Sequence, residues 1–88
     1  MKIKGEFILR QLQDDIVAIP VGQTALELNG MVLLNDVSRV IWECLATPCQ
    51  LSQIVSALTD AFEVSPEEAE ADILEYLGKL RENGLLEE

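Results

Sequence analysis

The spacing of apolar residues changes once along the chain. Up to residue 34 they come in short blocks, Phe7-Ile8-Leu9-Arg10-Gln11-Leu12, Ile16-Val17-Ala18-Ile19-Pro20 and Met31-Val32-Leu33-Leu34. Blocks rich in β-branched and large apolar side chains form strands. Asp14-Asp15 predicts a tight turn and a hairpin between the first two, while Val21 to Gly30 is a longer connection containing Gly22 and the turn pair Asn29-Gly30. That order predicts an antiparallel meander of three strands. The third block has no polar position, so both of its faces need cover or one is left sticky.

After Leu34 the period becomes that of a helix. Asn35 is a plausible N-cap, and Val37, Val40, Ile41, Cys44 and Leu45 follow at i, i+3, i+4, i+7 and i+8. Trp42 lies off this stripe, so a second surface, a helix or the sheet, has to receive its ring. A second helix is predicted from about Leu51 to Phe62, with Leu51, Ile54, Val55, Leu58 and Phe62 on one face. Its start has two readings: Thr47-Pro48-Cys49-Gln50 as a capping box, or as linker before a cap nearer Gln50. The third helix opens with the capping box Ser65-Pro66-Glu67-Glu68, carries Ala69, Ile73, Tyr76, Leu77 and Leu80 as its stripe, and ends at Asn83-Gly84. Acids crowd its start, Lys79 and Arg81 stand near its end, and Glu75 and Lys79 are spaced as an i,i+4 ion pair.

Three strands followed by three helices predict an α+β fold, an N-terminal three-stranded antiparallel sheet packed on a C-terminal trihelical, winged-helix-like bundle. The 88 residues suit one domain, 1–88, with strands over about 7–34 and helices over about 36–83. The start of the chain has no apolar core followed by a cleavage site, and Ile16 to Val21, the longest apolar run, is far short of the ~20 residues of a membrane span. A cytoplasmic protein is expected.

Composition then removes chemistry. Six basic residues against sixteen acidic ones give a net charge of −10, a field that repels phosphate and anionic membranes. The second and third helices are arranged like a DNA reader, yet no basic residue lies between Arg39 and Lys79, where Glu43, Asp60, Glu63, Glu67, Glu68, Glu70, Asp72 and Glu75 all fall. Nucleic acid is therefore not an expected partner. There is no histidine, the only lysines are Lys2, Lys4 and Lys79, and the glycines are never grouped as a phosphate cradle, so no enzymatic activity and no cofactor are expected. Cys44 and Cys49 cannot make a four-ligand zinc site alone; they read as reduced core or boundary residues, or else as a redox pair.

What remains is binding of another polypeptide. Leu74 lies about 110° from the centre of the third helix's stripe, with Gly78 and Arg81 on the same side, by the ~100° step per residue. Leu74 either forms a groove wall there or merely widens the core face.

Leu34-Asn35 followed by Ile41-Trp42, then Leu51-x-x-Ile54-Val55-x-x-Leu58, Phe62-Glu63-Val64, and Ala71-Asp72-Ile73-Leu74-x-x-Leu77-x-x-Leu80-x-x-x-Gly84-Leu85-Leu86 give the chain, from about Phe7 to Leu86, a pattern that resembles the PqqD-like family. These are small elements that recognise ribosomally synthesised precursor peptides. One departure stands out: where the family often has Thr-Gly after Leu-Asn, this chain has Val37-Ser38 after an intervening Asp36. The resemblance implies that a leader peptide adds as a strand between the third strand and the third helix. It places the edge at Met31, Val32, Leu33 and Leu34 and the helix wall at Leu74, Leu77, Gly78 and Arg81. It also implies a non-catalytic adaptor that presents the precursor to a modifying enzyme, such as a radical SAM protein or a leader peptidase. The readings from other classes are a structural partner domain of a larger enzyme and a winged-helix DNA-binding regulator.

Overall fold

A computed structural model describes residues 1–28 and 30–88. The elements run β1 (Lys2–Ile3), β2 (Phe7–Leu12), β3 (Asp15–Pro20), α1 (Gln23–Glu27), β4 (Val32–Leu34), α2 (Asp36–Cys44), α3 (Leu51–Ala61), α4 (Pro66–Glu82) and β5 (Leu86–Glu87). The fold is α+β, as the period change predicts. A three-stranded antiparallel sheet in the order β2-β3-β4 carries the expected meander.

The hairpin turn sits one residue earlier than expected. Leu12 pairs with Asp15, so the two loop residues are Gln13 and Asp14, and Gln13 takes a left-handed φ of 58°. Of the Asn29-Gly30 turn, Asn29 lies outside the described residues and Gly30 has φ 92°. Met31 precedes β4 instead of opening it, because the pairing with β3 begins at Val32 opposite Ala18 and ends at Leu34 opposite Ile16.

The helices start and stop where side chains satisfy their ends. Asn35 caps α2 with a reciprocal pair: its Oδ1 accepts from the Ser38 N–H and its own N–H donates to Ser38 Oγ, both at 2.8 Å. For α3 the cap is Gln50, whose N–H donates to Gln53 Oε1 at 2.7 Å, which leaves Thr47 to Cys49 as linker. Ser65 Oγ accepts from the Glu68 N–H at 3.1 Å at the head of α4. The other end of α4 closes as a Schellman motif, with Gly84 at φ 70° and the Leu85 N–H donating to the Leu80 carbonyl at 2.8 Å. The expected Glu75–Lys79 ion pair does not form. The ion pairs among the described residues are Arg39–Glu43 at 3.0 Å and Arg81–Glu88 at 2.6 Å.

Three elements fall outside the sequence expectation. Helix α1 uses Thr24, whose Oγ1 accepts from the Glu6 N–H at 2.8 Å; a Cβ on Gly5, at φ 100°, would meet that same oxygen at 2.8 Å. Strands β1 and β5 pair with each other, Lys2 opposite Glu87 and Ile3 opposite Leu86. On its other side the N-terminal segment bonds the α2–α3 connection: Met1 and Cys49 exchange two main-chain bonds at 2.9 and 2.8 Å, and the Ile3 N–H donates to the Leu45 carbonyl at 2.9 Å.

The core lies between the sheet and the helices. Ala18 and Leu34 meet Ile41, Trp42, Leu45, Ile54, Leu58, Ile73, Leu77 and Leu80 there. Trp42 finds two receiving surfaces: its ring meets Phe7 of β2 edge-on at 5.0 Å, and its Nε1–H donates to Tyr76 Oη of α4 at 2.8 Å. Cys49 belongs to the core, Cys44 lies at its border, and both are free thiols. Burial, with Cys49 and Glu43 beside it, pushes the Cys44 thiol up from its ordinary pKa. No helix among the described residues is long and apolar enough to cross a membrane.

Candidate functional site

Among the described residues the sheet order leaves one side of β4 without a partner strand, so the main-chain groups of Val32–Leu34 on that side face outward. The alternation of the pleat sorts the side chains beside them. Leu34 turns inward and is 5% exposed, while Leu33 turns to the far face and is 68% exposed, so the sticky face expected of this block is real. Met31, just before the strand, is 57% exposed.

Across from this edge stands α4. A cavity of about 440 Å³ separates the two, walled by Met31, Val32 and Leu33 on the strand side and by Tyr76, Lys79, Leu80 and Asn83 on the helix side, with Phe7, Leu28 and Leu85 also lining it. Toward the middle of α4 a second hollow of about 270 Å³ lies between α2 and α4, lined by Asn35, Val37, Ser38 and Ile41 and by Asp72, Glu75, Tyr76 and Lys79. Tyr76 and Lys79 line both, so the two hollows form one groove along α4. Its middle is stiffened by the Phe7–Trp42–Tyr76 chain, which ties β2, α2 and α4 together. Burial pushes the Tyr76 hydroxyl up from its ordinary pKa, against the Trp42 N–H and the Ser38 hydroxyl, which pull it down.

The residues expected to bind are thus divided. Met31, Val32 and Leu33 line the cavity beside β4, and Leu34 lies beneath in the core. Leu77 is also core, 2% exposed. Leu74, Gly78 and Arg81 are on another flank: about 100° per residue puts Leu74 some 160° around the helix from Tyr76. Leu74 is 51% exposed there, no atom lies within 4 Å of where a Gly78 Cβ would stand, and Arg81 is engaged with Glu88. The structure does not bring this flank to the β4 edge. Residues that the sequence reading passed over, Lys79 and Asn83 with Tyr76, face it instead.

The other free edge of the sheet, β2, borders a larger hollow of about 560 Å³ lined by Phe7, Leu9, Val21, Trp42 and Leu45. The Arg39–Glu43 ion pair stands beside it, and the adjoining hollow lined by Leu9 and Arg10 includes both of those charged residues. Among the described residues no three His, Cys, Asp or Glu side chains converge as a metal site.

The comparison with curated proteins gives no match. Among solved structures, the one described as TbiB1 in complex with the TbiA(beta) leader peptide superimposes with a TM-score of 0.74 at 24% identity, covering 99% of this chain and 95% of that one. The two share a fold. Residues 21–86 match the PqqD family, described as coenzyme PQQ synthesis protein D, a stretch that takes in α1, β4, all three long helices and the start of β5. On that match, which spans most of its length and both walls of the groove, the chain belongs to the PqqD family.

Proposed function

We propose that this chain is a peptide-recognition module. It takes the leader region of a ribosomally synthesised precursor as an added strand on the open edge of β4 and presents it to a separate modifying enzyme, with no turnover of its own. The observation that carries this reading is the unpaired edge of Val32–Leu34 standing beside a cavity whose second wall is α4. Main-chain groups at an edge give an extended peptide its affinity, and the pockets beside the edge give it register. Family membership supports the reading, and so does a fold shared with TbiB1, whose structure holds a leader peptide. The contact residues we assign are Met31, Val32 and Leu33 with Tyr76, Lys79 and Asn83; Leu34 and Leu77 form the floor.

Titration with precursor peptides encoded beside this chain is expected to give saturable one-to-one binding. An isolated leader should suffice, and a precursor lacking it should not bind. N–H groups alternate sides along a strand, so one of Val32→Pro and Leu33→Pro removes a donor from the open edge and the other a donor to β3. The first should keep its circular dichroism spectrum and lose about tenfold or more in affinity, the scale of one or more lost hydrogen bonds. Gly78→Glu, on the far flank, should bind as the wild type does. Failure with every such precursor would overturn the proposal, as would a modifying enzyme that needs the module equally for substrates without a leader, which is the behaviour of a structural partner domain.

A further inference from the structure

The groove along α4 has unlike ends. Toward the C-terminus of α4 its lining is mostly apolar, with Leu28, Met31, Leu80 and Leu85 beside Lys79 and Asn83. Where β4 runs into α2 its lining is acidic on the α4 side, with Asp72 and Glu75 beside Asn35. Lys79, between the two ends, is the one cation lining these two hollows among the described residues, and it joins neither Arg39–Glu43 nor Arg81–Glu88.

We propose that the groove selects an extended peptide carrying a Lys or Arg about four residues N-terminal to a large apolar residue. The inference rests on strand addition at β4 and adds to it the direction and charge of the occupant. Every strand pair among the described residues is antiparallel, and antiparallel pairing is the slightly more stable kind. A strand added antiparallel to β4 has its N-terminal part beside Leu34 and Asn35, toward Asp72 and Glu75, and its C-terminal part beside Val32. From Asp72 to Leu80 the helix rises ~12 Å at ~1.5 Å per residue, about four strand residues at ~3.3 Å each, and every second strand residue shares a face. A cation at the acidic end pairs with Asp72 and Glu75, neither of which is in an ion pair among the described residues. The reversed order would set that cation beside Leu80 and Leu85 and an apolar side chain among the acids, losing both gains.

Random peptides of about twelve residues, long enough at ~3.3 Å each to span the groove, can be displayed on phage. They are selected on the full chain and on the Asp72→Lys/Glu75→Lys double variant, both positions being exposed. The wild type is expected to enrich Lys or Arg about four residues before Leu, Ile, Phe or Met, and the double variant to enrich Asp or Glu there. Two synthetic peptides differing only by Lys or Glu at that position should differ about fivefold in affinity at low salt, the scale of a partly exposed charge pair. The gap should close with added salt and invert on the double variant. Equal binding of the two peptides, or enrichment in the order apolar before basic, would overturn the inference and leave strand addition standing. Selection that enriches no peptide on either protein removes strand addition, and the inference with it.

Discussion

Tyr76 works on both sides of the boundary between core and groove. Its spacing from Ile73 and Leu80 puts it on the apolar stripe of α4, and a sequence reading places it in the core for that reason. Its hydroxyl instead lies at the groove, accepting from Trp42 at 2.8 Å. A phenol needs one polar neighbour when half-buried, and here the donor is an indole that would otherwise be buried without a partner. It is the only tyrosine in the chain, so phenolate absorbance reports on it alone. The titration midpoint is expected above the ordinary value of about 10. Trp42→Phe should raise it further, because the indole N–H favours the phenolate. The sign for stability follows: a folded pKa above the unfolded one contributes stability that is full below about pH 10 and is lost as pH rises through the folded value. Tyr76→Phe should therefore lose less stability between neutral pH and pH 11 than the wild type, measured by urea unfolding at each pH. A midpoint at the ordinary value would show that the hydroxyl is solvated, and one below it that the hydrogen bonds from Trp42 and Ser38 outweigh burial.

At the scale of elements, α4 carries the groove wall on one flank and a helix-weakening residue on another. Gly78 sits in its interior, and a Cβ added there would meet no atom within 4 Å. Gly78→Ala is thus expected to stabilise the protein by about 0.5–1 kcal/mol, the helix propensity difference, which thermal or urea denaturation will read. Unchanged or lower stability would mean that this flank is closed to a methyl group. The long helices and the two long strands were legible in the sequence because each carries a clear period and a chemical stop: Asn35, Ser65 and Gly84 at helix ends, and a polar pair between β2 and β3. The short elements were not. Gln23–Glu27 is too short to show a helical period, and the β1–β5 pair joins Lys2 to Glu87, a contact that no local pattern announces. Rotation of α4 was the harder matter. Leu74 and Gly78 drew attention as an apolar residue and a gap, whereas the flank facing β4 and α2 carries Lys79 and Asn83 toward β4 and Asp72 and Glu75 toward α2, which read as an ordinary solvated face.

For the molecule as a whole, the N-terminal segment is the piece that holds distant parts together. β1 lies between β5 on one side and the α2–α3 connection on the other, and Ile3 reaches into the core with 6% exposure. Ile3→Ala is expected to cost about 2–5 kcal/mol, as for other large-to-small core changes. In a chain this small that is a large share of total stability, so the midpoint of urea unfolding should fall steeply. A shift of a few tenths of a kcal/mol would instead mean that the clasp is ornamental to the core. The same strand pair has a topological consequence. Because the first and last strands run side by side, ~4.8 Å apart as neighbouring strands are, the backbone is nearly a closed ring. A ring has no privileged starting point, so a few flexible residues can join the ends and the chain can be reopened at the Gln13-Asp14 loop as a circular permutant. By the same geometry a host protein can carry the module as an insertion in a single surface loop, entering and leaving through adjacent strands without disturbing the groove along α4.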